Sequence, residues 1–251
     1  MKSSTIKNNL FKLLRGSVVA LICFGVWELG ALAVGNSYFL PRVEETVVAL
    51  LRLISKPVFF KFVGLSLLRV LVGLTLGILS GIILALLSHY FKLSTSLISP
   101  VISIMKATPI ATIILILWFM MTDAELSIFV VFLMVTPVIW QNVYDGYSSI
   151  SNELREVCYA YEFSFFKRIQ ILVLPAILKY FIPALITSIG LAWKAEIAAE
   201  IMTYSNIGRS IQDFKTLSYD SASVFAWALV IITLSMVLEK ITKLILGRIK
   251  I

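Results

Sequence analysis

The sequence predicts an all-α membrane protein with about six transmembrane helices. Of its 251 residues, 59% are hydrophobic and only 14% are charged, whereas a soluble domain typically carries about 25% charged residues. The mean hydropathy is +0.96. The apolar residues form separate runs close to the roughly 20 residues that a helix needs to cross a bilayer. Because no long hydrophilic stretch interrupts them, we interpret residues 1–251 as a single membrane domain.

The apolar runs place the expected spans along the chain. The first run is longer than the roughly 7–15 residues of a signal-peptide core, so we interpret it as an uncleaved span rather than a cleaved leader. The mixed segment at 41–61 has apolar residues at helical spacing, which predicts an amphipathic helix at the membrane surface. The six expected spans lie near residues 14–34, 62–88, 97–121, 125–143, 176–200 and 222–241.

The net charge of +8 lies mainly at the ends of the apolar runs. This distribution is typical of the positive-inside rule and argues against a nucleic-acid partner. It predicts that both termini and the 144–169 segment are cytoplasmic. The basic residues at the two termini are Lys2, Lys7, Lys12, Arg15, Lys240, Lys243, Arg248 and Lys250.

The sequence lacks the patterns of a nucleotide-hydrolysing or metal-binding site. No G-x-x-x-x-G-K-[ST] phosphate loop occurs. His89 is the only histidine, and Cys23 and Cys158 have no nearby metal-ligand partner and are not expected to form a disulfide. We therefore expect no cofactor, no metal and no enzyme activity, and any ATP hydrolysis belongs to another chain.

Three glycines in the second span are spaced four residues apart, at Gly73, Gly77 and Gly81. This spacing puts them on one helix face, where small residues allow another helix to approach closely. We favour packing against a helix of the same chain, and the alternative is a subunit interface.

Charged residues within the spans are candidates for a translocation path, because such charges are costly in lipid and usually functional. Glu196 and Glu200 share a helix face, and Lys194 lies on a different one. Lys106 either lines the path or reaches back to the surface. The structural alternative is that Lys194 pairs with a carboxylate of another helix and that Glu200 reaches the outer interface. The candidate path residues are Lys106, Trp193, Lys194, Glu196 and Glu200.

Residues 153–175, ELREVCYAYEFSFFKRIQILVLP, form a polar segment of helical character between apolar runs. Its aromatic and apolar residues stand beside charges, which indicates a surface for a partner rather than a helix that meets only water. The segment resembles the EAA loop of ABC importer permeases, whose pattern is Glu-Ala-Ala, three residues, Gly, nine residues and Ile-x-Leu-Pro. The matching positions are Glu156, Val157, Cys158, Glu162, Leu172, Leu174 and Pro175.

Glu162 departs from that pattern, because the family has glycine there. Glutamate lacks the conformational freedom of glycine. We therefore expect either a turn that is made differently or an ATPase groove of different shape.

Other segments resemble, in the same order, permeases of the nitrate/sulfonate/taurine/bicarbonate group. Residues 66–73 are similar to the group's S-x-x-R-V-x-x-G pattern, and 109–119 to its P-x-A…L-W-F segment. Residues 190–200, GLAWKAEIAAE, resemble its fifth-helix signature, and 207–209 resemble the I-G-x turn that follows.

The resemblance implies the type I ABC importer permease fold, with a core permease domain at about 62–245 and a cytoplasmic coupling loop at 149–170. It implies a second permease chain, for which we expect a homodimer, in the cell membrane. A cytoplasmic ABC ATPase would dock on the loop, and an extracytoplasmic solute-binding protein would deliver a small, anionic or sulfonate-like solute. The alternatives are an ion-coupled secondary transporter that uses Lys194, Glu196 and Glu200 as a relay, and a membrane scaffold. The absence of an evident inverted repeat argues against the former.

Overall fold

The computed structural model describes the backbone of residues 2–247 and the side chains of residues 18–91 and 94–247. The side chains of Lys2, Lys7, Lys12 and Arg15, and all of Arg248 and Lys250, lie outside the described residues. Across the described residues the chain is helical and contains no strand, as predicted. The elements are α1 (Lys2–Val34), α2 (Val43–Ile54), α3 (Pro57–Tyr90), α4 (Lys92–Ala107), α5 (Ile110–Leu117), α6 (Asp123–Ser148), α7 (Asn152–Ala160), α8 (Phe165–Arg168), a π-helical segment (Ile169–Val173), α9 (Leu174–Thr203), α10 (Asn206–Thr216) and α11 (Ser221–Leu246).

Four helical stretches among the described residues are long and apolar enough to cross a membrane: α3, α6, residues 165–203 and α11. The bent pair α4 and α5 makes a fifth if both belong to one span. The apolar part of α1, Val18–Val34, is shorter than these. The structure therefore confirms the predicted all-α membrane protein, with four or five full-length spans among the described residues.

The predicted span at 97–121 is two helices, and this corrects the expectation of one continuous helix. Residues 94–107 and α5 meet at an angle of 96°. Thr108 is extended, with ψ 126°, and Pro109 follows it with ψ 130°. Proline has no N–H to continue the helical ladder, and it disfavours helical geometry in the residue before it. Lys106 consequently lies in the last turn of α4 rather than inside a continuous span.

The residues up to Phe60 and Ile211–Val230 form one compact unit. In this unit, the amphipathic helix predicted at 41–61 is α2, and α2 begins later and ends earlier than expected. Glu28 of α1 fixes the start of α2, because its carboxylate lies 2.8 Å from Arg42 Nε and accepts a 3.0 Å hydrogen bond from the backbone N–H of Val43. Trp27 Nε1 also donates to the carbonyl of Pro41 at 2.9 Å.

Residues 61–210, with the part of the chain from Ile231, form a second unit. Its core contains α6, whose buried residues include Val131, Val135 and Ile139. The three glycines of α3 face these side chains, and a Cβ added at any of them would come within 2.7 Å of one of their Cβ atoms. The glycine face thus packs against a helix of the same chain.

Replacing Gly77 by alanine is expected to destabilise the protein by about 1–3 kcal/mol, the usual cost of overpacking a core. The added Cβ would stand 2.7 Å from Val135 Cβ, and a β-branched side chain in a helix has little freedom to move away. The measurement is the thermal unfolding midpoint of the detergent-solubilised chain. Gly64→Ala is the matched control, because that position of α3 has no atom within 4 Å of the added Cβ. Equal midpoints for the two variants would contradict the packing described.

Candidate functional site

A buried ion cluster joins α3 to α9. Glu196 and Glu200 on α9 are both 0% exposed. The Nη1 atom of Arg69 on α3 lies 3.5 Å from Glu200 Oε1 and 4.0 Å from Glu196 Oε1. The side chain of Arg69 is itself only 15% exposed. The positive charge that accompanies the two glutamates therefore comes from α3 and not from Lys194.

The two carboxylates differ in their hydrogen bonds. Glu200 accepts from Ser66 Oγ at 2.8 Å, from Asn206 Nδ2 at 2.7 Å and from the backbone N–H of Ile207 at 3.2 Å. Neither side-chain oxygen of Glu196 has a hydrogen-bond partner among the described residues. Glu200 is therefore the carboxylate of the pair that is held by hydrogen bonds. Glu196 lies beside it, and the guanidinium of Arg69 approaches it only to 4.0 Å.

Local geometry brings the cluster together from three helices. Ser66 and Arg69 are three residues apart and thus share a face of α3, as Glu196 and Glu200 do on α9. A left-handed residue, Tyr204 with φ 57°, then ends α9 and returns the chain as α10. Gly208 of α10 packs directly on the backbone of Glu200, where a Cβ would lie 2.1 Å from the carbonyl carbon. Only glycine fits there without moving one helix away.

The structure does not bring the five candidate path residues together. Lys194 is exposed and forms no ion pair within the described part of the chain, so the expected pairing with a carboxylate of another helix is absent. Glu200 is buried in the chain and lies one turn before the end of α9. Trp193 is also buried and donates from Nε1 to the carbonyl of Ile231 at 3.0 Å. Lys106 is exposed, with Nζ 3.1 Å from Gln141 Oε1.

Arg69 is the residue of this cluster that the sequence analysis missed as a functional candidate. It is the only charged residue between residues 62 and 88. A lone cation in one span is expected to pair with an acidic residue in another, and this signal was sufficient to expect an ion pair between α3 and α9.

Glu200→Gln is expected to destabilise the chain by about 3 kcal/mol or more, because it leaves the buried guanidinium of Arg69 without a full counter-charge. Glu196→Gln is the matched control on the same helix face. It replaces a carboxyl group that accepts no hydrogen bond, so its effect on the thermal unfolding midpoint is expected to be much smaller. If Glu196→Gln proved as destabilising as Glu200→Gln, the assignment of Glu200 as the carboxylate held by hydrogen bonds would be wrong.

The polar segment at 153–175 is ordered as short capped helices rather than an open loop. Ser151 caps α7 by accepting from the N–H of Leu154, and Ser164 caps α8 by accepting from the N–H of Lys167, both at 3.4 Å. The pKa of Glu153, in the first turn of α7, is lowered by hydrogen bonds from its own backbone N–H and from Ser151. These caps satisfy N–H groups that a helix start leaves free.

The turn after α7 is a Schellman motif in which Glu162 occupies the position that favours glycine. Its φ is 48°, in the left-handed region. Its N–H donates to the carbonyl of Tyr159 at 3.0 Å, and the N–H of Phe163 donates to that of Cys158 at 3.1 Å. We expected either a different turn or an ATPase groove of different shape. The turn does not differ, because Glu162 adopts the left-handed backbone geometry that glycine usually takes.

The faces of α7 carry different chemistry. One face is apolar and exposed, with Leu154 at 52%, Val157 at 48% and Tyr161 at 73%. Glu153 and Glu156 lie on a second, polar face that is also exposed. An apolar face that is open to solvent beside acidic residues is typical of a partner-docking surface.

The third face of α7 carries Arg155, Cys158 and Tyr159, which are half-buried, buried and exposed, respectively. Cys158, which the sequence placed among the docking residues, is buried in the chain. Leu172 lies in the π-helical segment and is half-buried. Leu174 and Pro175 form the first turn of α9, so that helix begins before the predicted residue 176. Of the predicted docking residues, Glu156, Val157, Glu162 and Leu174 are exposed.

Glu162→Gly is expected to stabilise the turn by about 1 kcal/mol, because a left-handed backbone is unfavourable for a residue with a Cβ. The readout is amide hydrogen exchange at residues 162 and 163, which should slow about fivefold. Tyr161→Gly is the control, since Tyr161 has φ −88° and gains nothing from glycine. Faster exchange in Glu162→Gly would contradict the turn geometry described.

A known protein family matches most of this chain. Residues 73–251 match the family model described as the inner membrane component of binding-protein-dependent transport systems. The match covers the glycine face, α7, the π-helical segment and both buried glutamates.

Individual relatives agree with the family match. Over 236 residues the chain is 24% identical to the "Putative aliphatic sulfonates transport permease protein SsuC" of Bacillus subtilis, covering 92% of this chain and 85% of the relative. It is 28% identical over 156 residues to the bicarbonate transport system permease protein CmpB of Synechococcus elongatus, covering 62% and 56%. It is 25% identical over 154 residues to the formylaminopyrimidine transport permease protein ThiX of Halalkalibacterium halodurans, covering 59% and 60%.

A solved structure shares the fold. It is described as an amino acid ABC transporter with histidines, and one of its chains superposes with a TM-score of 0.66 over 77% of this chain and 94% of its own length. The sequence identity is 15%, so this likeness concerns the fold alone.

Proposed function

The chain belongs to the family of inner membrane components of binding-protein-dependent transport systems, and on that premise we propose that it is the permease subunit of an ABC importer for a small anionic solute. In this proposal the chain forms part of the translocation path and does not hydrolyse ATP itself. A separate cytoplasmic ATPase docks on α7. An extracytoplasmic solute-binding protein delivers the solute, and a second copy of the chain completes the path.

The observation that carries the ATPase proposal is the exposed apolar face of α7, formed by Leu154, Val157 and Tyr161. A nine-residue helix that exposes such a face would be unstable alone in water. Here it is capped at its start and closed by a Schellman motif at its end. These features support the interpretation of α7 as a rigid helix that contacts a protein partner. A rigid helix can transmit a movement of that partner to the rest of the chain.

The position of α7 in the chain supports its role in coupling. It connects through the turn at 161–164, α8 and the π-helical segment into α9, the helix that carries Glu200 and Lys194. A displacement of α7 by the ATPase would therefore act on a helix anchored to α3 by the buried ion cluster. In this proposal the termini and α7 lie on the cytoplasmic side of the cell membrane, as the basic residues predict.

The solute class rests on two exposed cations and on the relatives. Lys106, beside the break between α4 and α5, and Lys194 on α9 are both exposed. Sulfonates and bicarbonate, the solutes that the names of two relatives give, are anions. Glu196, Glu200 and Trp193 are buried in the chain and support the path rather than line it.

The docking proposal predicts that Val157→Asp will reduce copurification of an ABC ATPase with the tagged chain about tenfold or more, because it puts a charge into the apolar contact. Glu156→Lys should also reduce it, through the adjacent acidic face. Gentle solubilisation followed by mass spectrometry identifies and quantifies the partner.

Asn152→Asp is the matched control for that experiment. It adds the same charge to the same helix, about 140° around the axis from Val157 and near the N-terminus, where a negative charge is favourable. It should leave copurification unchanged. An ATPase that copurifies equally with wild type and Val157→Asp would exclude the exposed face of α7 as the docking site.

Lys194→Ala is expected to raise the solute concentration for half-maximal uptake about tenfold, the effect of losing one charge-assisted contact, while ATPase copurification stays intact. The measurement is uptake of a radiolabelled alkanesulfonate by cells that carry the complete transporter. Lys179→Ala removes an exposed charge from the same helix and serves as the control. Normal uptake by Lys194→Ala would remove this residue from the path.

A further inference from the structure

A cavity of about 470 Å³ lies behind α7, on the side opposite its exposed apolar face. Its volume falls within the range of about 300–1,000 Å³ that is usual for ligand sites. The lining is mostly apolar, with residues such as Leu172 and Ile177, and it includes Tyr90 and Tyr147. Arg155 and Arg168 also line it, and no carboxylate does so within the described part of the chain.

The two arginines lack a counter-charge. Both are half-buried, and neither is within ion-pair distance of an acidic side chain among residues 18–91 and 94–247. Each stacks instead on a tyrosine ring. The Cζ atom of Arg155 is 5.4 Å from the ring centre of Tyr147, and that of Arg168 is 4.9 Å from that of Tyr159. Stacking holds the planar guanidinium groups in place but leaves their donors free for an anion.

The level of the cavity along the spans indicates the kind of anion. It lies where α3 and α6 end and α9 begins, at Tyr90, Tyr147 and Leu174. Tyrosine and arginine at the ends of apolar helices are typical of the zone of lipid headgroups. A phosphate has the geometry for two guanidinium groups, and the apolar part of the lining suits an acyl chain.

We propose that this cavity binds an anionic phospholipid, with its phosphate on Arg155 and Arg168 and an acyl chain against the apolar lining. The site uses the third face of α7, so a bound lipid and a docked ATPase contact different residues of the same helix. A lipid there would brace α7 against the ends of the spans. The binding itself depends neither on the transported solute nor on ATPase docking.

The test uses the full chain in nanodiscs that contain equal amounts of phosphatidylglycerol and phosphatidylcholine. After transfer to detergent, native mass spectrometry counts the lipids that remain bound. Wild type should retain phosphatidylglycerol over phosphatidylcholine by about tenfold, and an Arg155→Gln, Arg168→Gln double variant should lose that preference. Lys167→Gln removes a neighbouring exposed charge that does not line the cavity and should keep it.

A second measurement needs no substitution and so stays valid if the double variant fails to fold. A photoreactive phosphatidylglycerol should label wild-type peptides that contain Tyr159 or Leu172, which line the cavity. Labelling elsewhere only, or equal lipid preference in wild type and the double variant, would overturn the proposal. Loss of preference in Lys167→Gln to the same degree would overturn it too, since it would indicate diffuse attraction. Retention of added oleate in place of phospholipid, with the same arginine dependence, would reject the phospholipid assignment.

Discussion

The ion pair between Arg69 and Glu200 is the contact on which the arrangement of the spans depends. A charge inside an apolar bundle is tolerated only when it is paired and hydrogen-bonded. Satisfying Glu200 requires Ser66 and Arg69 from α3, together with Asn206 and the N–H of Ile207 from the start of α10. One carboxylate thereby fixes the relative positions of three helices. The segments that resemble the permease group at 66–73, 190–200 and 207–209 are far apart in sequence, and they meet at this cluster.

The cluster and the glycine face give the chain a rigid part to which α7, the proposed docking helix, is connected. The glycines of α3 bring its backbone against α6, so one face of α3 is held at two levels along the helix, by charge near Arg69 and by close packing at the glycines. Helix α7 leads into α9 through the hydrogen-bonded turn at 161–164, α8 and the π-helical segment. In the proposed transporter, a force applied at Val157 thus reaches Glu200 through this turn and the helices that follow it, and packed helices move as bodies rather than deform.

The sequence was sufficient for the apolar spans, the glycine face and the helical character of the polar segment at 153–175, because each is encoded locally by periodicity or composition. It did not show the 96° break, since a proline predicts a disturbed helix but not its angle. The sequence pointed to Lys194, which is only two residues from Glu196, whereas the cation that pairs with Glu200 is Arg69, 131 residues earlier in the chain. Residue type alone argued against a glycine-like turn at Glu162, yet the hydrogen bonds of the Schellman motif hold its φ at 48°.

In the proposed mechanism this chain transports only when a separate ATPase drives it through α7. Uptake of a radiolabelled alkanesulfonate can be measured in proteoliposomes that hold the purified chain with its copurified ATPase and binding protein. Uptake should require ATP on the side of the ATPase, persist when ionophores collapse the ion gradients, and be absent without the ATPase. Uptake by the chain alone that follows an ion gradient and stops with ionophores would contradict this mechanism, and would make the chain a secondary transporter.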